Sequence, residues 1–92
     1  MQKQNEKDPF VELEELLEHM AKVIVDYPEE VVVNPAIGNG FVAFEVICAP
    51  SDTGTLIGRH GKHADAIRTM LMAAGAVRKI RVTVQIVSSD KK

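Results

Sequence analysis

A break inside otherwise helical sequence constrains this chain more than any other feature. Residues 55–70 read TLIGRHGKHADAIRTM. Gly58 and Gly61 bracket Arg59 and His60, and apolar, helix-like sequence lies on either side. Glycine costs about 1 kcal/mol relative to alanine inside a helix. Two glycines three positions apart therefore read as the end of one helix and the start of another. The step is either only a tight turn or a place where something approaches the backbone closely.

The flanks can be assigned outward from this step. Ser51 or Asp52 can cap a short helix before it. A second helix runs from about Lys62 to Ala74, with Ala64, Ile67, Leu71 and Ala74 as its inward stripe and Gly75 as the residue just past its end. Near the N-terminus, Asp8-Pro9 combines a capping acceptor with a proline where no N–H is needed. Phe10, Leu13, Leu17, Met20, Ile24 and Tyr27 then recur at helical spacing until Pro28 stops the pattern. Between the two helical regions, residues 31–37 are β-rich, and Pro35 places them at a sheet edge or a bulge. Gly38-Asn39-Gly40 is a hairpin turn supplying positive φ. Residues 41–49 alternate, with Val42, Phe44, Val46 and Cys48 on one side. Cys48 thus reads as a buried small hydrophobe. Residues 79–87 alternate again: Ile80, Val82, Val84 and Ile86 inward, Lys79, Arg81, Thr83 and Gln85 outward.

The order is α-β-β-α-α-β. It predicts an α+β, two-layer domain in which a three-stranded sheet is covered on one face by three helices. The domain spans 8–87; residues 1–7 and 88–92 are polar and read as flexible tails. With 92 residues there is room for one domain and one modest core. A single cysteine excludes an internal disulfide and favours a reducing compartment, hence the cytoplasm. No apolar run approaches the ~20 residues of a membrane span, and the N-terminal segment lacks the apolar stretch of a secretion signal.

The net charge of −2 hides an asymmetry. Residues 1–30 carry three Lys/Arg against nine Asp/Glu, a net of −6; residues 51–81 carry six against two, a net of +4. The basic half coincides with the glycine step. The first N–H groups of the helix after the step lack internal partners and, with the helix dipole, favour anions. Glycines at both ends would let a phosphate backbone lie against the turn. Arg59 and Lys62 add positive charge, and His60 can donate a hydrogen bond. A repeated anion such as a nucleic-acid backbone fits; the plainer reading is a solvated surface. A nucleotide-binding phosphate loop does not fit: it needs glycine where Leu56 stands and a hydroxyl where His63 stands. His60 and His63 lack further ligands for a metal, since Cys48 points to the core and His19 belongs to another helix. No nucleophile–base set is visible, and neither a cofactor nor a small-molecule substrate is implied.

LIGRHGKHADAIRTM resembles the I-G-x-x-G signature of KH RNA-binding domains, and the α-β-β-α-α-β order resembles their bacterial, type II arrangement. DYPEEVVV, the hairpin, VICAPSDTGTLIGRHGKHADAIRTMLMAAG and the last strand are similar to the small bacterial single-KH proteins of the KhpA type. The likeness covers roughly Asp8 to Val87. It implies a two-layer KH fold and a non-catalytic protein that grips single-stranded RNA, with the clamp made of Gly58, Arg59, His60 and Gly61. Ile57, Leu56 and Ile67 would line or support the groove, although Leu56 and Ile67 also read as plain core. Lys62 and Arg68 would flank the phosphates. Arg78, Lys79 and Arg81 are left out of the clamp, because the strand alternation turns Lys79 and Arg81 away from the helices. The family commonly has Lys or Gln between the glycines, where this chain has Arg59 and His60. With no aromatic beside the loop, base contacts would be aliphatic and discrimination weak. The resemblance also implies a homodimer, or a heterodimer with a larger KH-containing protein, and roles in RNA chaperoning or post-transcriptional regulation and, in some bacteria, cell shape. Ala66, Met70, Met72 and Ala73 on the 62–74 helix are the candidate contact surface, or simply complete the core. The alternative is a protein-interaction subunit using that helix, with a vestigial RNA loop. If the clamp reading holds, replacing both Gly58 and Gly61 by Asp should remove RNA binding and leave the fold intact.

Overall fold

The computed structural model describes residues 8–91; the proposed N-terminal tail, residues 1–7, lies outside them. Helix α1 spans Pro9–Ile24. It starts as the sequence predicts: the Phe10 N–H donates to Asp8 Oδ1 at 2.8 Å, and Pro9 occupies the first turn. Leu13, Leu17 and Ala21, four apart, are buried at its centre, and Phe10, Met20 and Ile24 pack beside them. The stripe ends at Ile24 rather than Tyr27. Tyr27 lies beyond the helix and is exposed, and Pro28 opens a single 3-10 turn, Pro28–Glu30, rather than stopping α1. A residue from another segment takes the N–H groups at this end. The buried carboxylate of Asp52 accepts from the N–H of Asp26 and the N–H of Tyr27, each at 3.0 Å.

Strands β1 (Val32–Gly38) and β2 (Phe41–Cys48) pair antiparallel around the Asn39-Gly40 turn. Only Gly40 of the two turn glycines has positive φ, +80°. Gly38 is bare for another reason: the Phe41 ring lies where its Cβ would be, 2.1 Å away. Strand β3 (Arg81–Ser88) pairs parallel to β2, giving the order β1-β2-β3. Pro35 is therefore on an edge strand, and there is no bulge in its pairing with Phe44. Val42, Phe44, Val46 and Cys48 are all buried on one face, as their alternation predicts. Val33, Val82 and Val84 extend that apolar face, against which the helices pack. The β3 strand runs one residue past the expected end, to a buried Ser88 that hydrogen-bonds Asp90 in the closing 3-10 turn, Ser89–Lys91.

Parallel neighbours cannot be joined by a hairpin. The chain crosses from β2 to β3 through α2 (Thr53–Ile57) and α3 (Lys62–Val77), so the glycine step lies in the crossover. Asp52 sits at the head of α2 but does not cap it; its side chain makes no hydrogen bond there and is used on α1 instead.

Helix α3 does not end at Gly75. It continues to Val77, and Gly75 is buried inside it. A Cβ at Gly75 would lie 2.6 Å from the Ile80 carbonyl oxygen and 2.6 Å from Val82 Cγ2. This glycine allows a close approach of helix to strand. The true terminus is a Schellman motif: the Ile80 N–H donates to Gly75 O at 2.8 Å and the Lys79 N–H to Ala76 O at 3.0 Å. Lys79 takes the left-handed position, φ +62°. Glycine is usual there, and a side chain costs about 1 kcal/mol. Lys79 is thus part of the helix cap and not the first residue of β3.

Candidate nucleic-acid interface

Gly58 has φ +81° and ψ +166°, a conformation open essentially only to glycine. His60 (φ +56°, ψ +25°) and Gly61 (φ +73°, ψ +16°) follow in the left-handed region. These two consecutive residues turn the chain sharply from α2 into α3. The turn is held by the Gly58 N–H on Gly54 O at 2.8 Å, the Gly61 N–H on Gly58 O at 3.0 Å and the Lys62 N–H on Arg59 O. The expectation that the amides at this corner are open is therefore corrected for these three.

The two glycines also do different things. A Cβ at Gly58 would lie 2.6 Å from His63 Cγ and 2.8 Å from the His63 backbone nitrogen. The space left by its missing side chain is filled by the chain itself. A Cβ at Gly61 would meet nothing within 4 Å. Only Gly61 leaves open room for a ligand. His63, which the sequence reading used only as an inadequate metal ligand, braces the loop: its Nδ1 lies 2.7 Å from Thr55 O. A carbonyl only accepts, so Nδ1 carries the proton. A histidine two residues after an expected loop glycine is a weak sequence signal for such a brace, because the carbonyl it reaches is eight residues back.

Arg59, His60 and Lys62 are exposed, and Arg59 and Lys62 form no ion pair with another described residue. Ile57, 37% exposed, flanks the loop on the surface. Leu56 and Ile67 belong to the core; Ile67 is 4% exposed. That resolves their two readings: both are core residues and present little surface to a ligand. Arg68 lies farther along α3 and spans to the sheet, its Nε donating to Val84 O at 3.0 Å and its Nη1 lying 3.6 Å from Asp65 Oδ1. Arg78 is engaged by Glu12 of α1 at 2.7 Å.

On the outer side of α3, Ala66, Met70 and Ala73 share one exposed face at spacings of four and three. Met70 is 52% exposed, so this face does not complete the core. Val77, four residues beyond Ala73 and 77% exposed, extends it. The sequence reading missed Val77 because it ended the helix too early. Met72 is exposed too, but it lies on the other flank, in a cleft with Ala76, Ile80 and Val82 of the α3–β3 junction. Among the described residues no three His, Cys, Asp or Glu side chains gather as a metal site, and no helix is long and apolar enough to cross a membrane.

Comparison with known proteins agrees with this geometry. A family model described as KhpA/KhpB, KH domain, matches residues 14–86. A protein of Clostridium acetobutylicum named RNA-binding protein KhpA is 41% identical over 75 residues, covering 82% of this chain and all of that one. The protein of the same name in Caldanaerobacter subterraneus subsp. tengcongensis is 42% identical, covering 79% of this chain and 97% of that one. Among solved structures, a crystal structure of Aquifex aeolicus Era bound to GDP and aluminium fluoride superposes with a TM-score of 0.69 at 11% identity, over 91% of this chain and 33% of Era. That similarity concerns the fold alone. With the expected element order, the glycine loop at the start of α3 and a family match across most of its length, the chain belongs to the KhpA/KhpB KH-domain family.

Proposed function

We propose that this protein is a non-catalytic RNA-binding module of the cytoplasm, an RNA chaperone or post-transcriptional regulator, which grips the backbone of single-stranded RNA at residues 58–61. The observation that carries this reading is the loop itself. Two left-handed residues make a sharp, exposed corner at the start of α3, with the cations of Arg59 and Lys62 on it and open space over Gly61. The shared name of the relatives, RNA-binding protein, supports it. Ile57 offers an aliphatic surface to a neighbouring base. So short a clamp contacts few phosphates, so affinity and salt dependence are modest.

Gly61→Asp is the clean test. Asp has room there and tolerates the left-handed conformation better than most residues, at a cost of about 1 kcal/mol. The fold should therefore be kept while a negative charge enters the path of the phosphates. Fluorescence titration with a labelled oligouridylate should show affinity at least about tenfold lower, a change of ~1.4 kcal/mol, with an unchanged circular dichroism spectrum. Equal affinity in the folded variant would refute the clamp.

A second reading concerns assembly. We propose that the Ala66, Met70, Ala73 and Val77 face of α3 joins two copies of this chain or this chain to a larger KH-containing protein; two binding sites on one strand would raise avidity. Its support is an apolar stripe with small residues at two of four positions and large exposed side chains at the others. Met70→Asp should lower the sedimentation coefficient toward that of a monomer while leaving the affinity of one clamp for a five-nucleotide RNA unchanged. A wild-type chain that sediments as a monomer and gains no mass with a KH-containing partner would overturn it.

A further inference from the structure

His63 stands in the first turn of α3, outside the four residues of the clamp, yet its side chain reaches back across the loop. Its Nδ1 lies 2.7 Å from Thr55 O, in α2. Its Cβ and Cγ fill the space beside Gly58 where a side chain at that position would stand. One imidazole thus ties α3 both to the helix before the loop and to the first residue of the loop. The Thr55 carbonyl is suited to this bond, because the last carbonyls of a helix have no helical donors. On its other flank the ring borders an apolar hollow between α1 and α3, lined by Met20, Val23, Ile24, Ala66 and Met70. That side offers aliphatic and thioether groups, so the strong polar contact is made toward the loop.

The reach of the bond matters. The backbone bonds that hold the turn run back four residues from Gly58 and three from Gly61 and Lys62. The His63 bond runs back eight and so closes a ring of chain that contains the whole loop. The loop needs such a tie. His60 holds a left-handed conformation that disfavours any residue with a Cβ. Gly58 and Gly61 have the widest backbone freedom of any residue type. Untied, these residues spread over several conformations, and apparent affinity falls with the fraction of molecules whose loop is competent to bind.

Resting on the clamp reading, we propose that His63 is a positioning residue for RNA binding: through Nδ1 and Thr55 O it holds the glycine loop in the shape that receives the phosphate backbone, and it sets affinity without touching the RNA.

The two ring nitrogens separate positioning from direct contact. An asparagine amide can stand where Nδ1 stands, whereas the longer glutamine amide reaches the place of Nε2. Titration of the full chain with a labelled oligouridylate should show His63→Ala and His63→Gln binding about three- to fivefold more weakly than wild type and His63→Asn within about twofold of it, the range set by one exposed hydrogen bond. Without RNA, hydrogen exchange at the Gly58 and Gly61 amides should quicken in the Ala and Gln variants but not in the Asn variant, while amides of the central strand keep their protection. Rescue by Gln rather than Asn would overturn the proposal, because it would make His63 an RNA contact through Nε2. Equal affinity in all four proteins would also overturn it, as would equal weakening of all three variants, whether or not their melting temperatures fall. If Gly61→Asp abolishes binding while His63→Ala changes nothing, the clamp stands and the positioning role falls. If wild type does not bind the oligouridylate, both fall.

Discussion

Gly58→Ala should destabilise the domain by about 3 kcal/mol, the upper range for a residue forced into a sparsely populated backbone conformation. Two costs combine. The first is the backbone: φ +81° with ψ +166° is closed to side chains of L-residues. The second is steric, because the new methyl would lie 2.6 Å from His63 Cγ and 2.8 Å from the His63 nitrogen. The ring can move but the nitrogen, in the first turn of α3, cannot do so without displacing the helix. Gly58→Ala/His63→Ala should therefore recover only part of the loss. For a domain of this size, 3 kcal/mol corresponds to a fall in melting temperature of roughly 12–24 °C. Urea denaturation followed by circular dichroism measures it; a loss under 1 kcal/mol would show that the loop yields easily. This changes how the loop should be probed. Asp at both glycines, expected from the sequence to spare the fold, would confound unfolding with lost binding. The structure separates a glycine that shapes the loop, Gly58, from one that keeps space open, Gly61.

The difference illustrates what sequence could and could not reveal. Features set by neighbours along the chain were legible: the Asp8-Pro9 start of α1, the inward alternation of Val42, Phe44, Val46 and Cys48, the edge position of Pro35 and the positive φ of Gly40. The loop was also legible, because glycine spacing and basic character are local. Features set by distant partners were not. Gly75 reads as a helix terminator when viewed alone, yet it is small because β3 presses on it. Lys79 falls in phase with the alternation of β3, yet it caps α3, since a left-handed residue can be a lysine when the following Ile80 N–H closes back on Gly75 O. Met72 and Met70 look alike as exposed apolar residues, but only a helix with its neighbours in place shows that they face different grooves. Local pattern thus located the glycine loop, while tertiary packing decides which of its residues are exposed.

Asp52 is the strongest case of a distant partner, and Asp52→Ala should cost about 3 kcal/mol. The carboxylate is 1% exposed, and its two oxygens accept from two consecutive N–H groups twenty-six and twenty-five residues earlier. Hydrogen bonds to a charged group contribute about 1.5–3 kcal/mol each, and removing the acceptor leaves both donors short of partners. Against this stands the relief of no longer burying a charge, which is why the sum of two bonds overstates the loss. Asp52→Asn distinguishes the two contributions. It removes the charge and keeps one acceptor, but the amide NH2 then faces an N–H donor. An intermediate loss, about half that of alanine, is expected if hydrogen bonding dominates. Faster exchange of the Asp26 and Tyr27 amides in both variants would locate the effect. Because Asp52 leads directly into α2, the same change loosens the base from which the glycine loop projects, so RNA affinity should fall with stability. An asparagine variant as stable as wild type would instead mean that burying the charge costs as much as the second hydrogen bond returns.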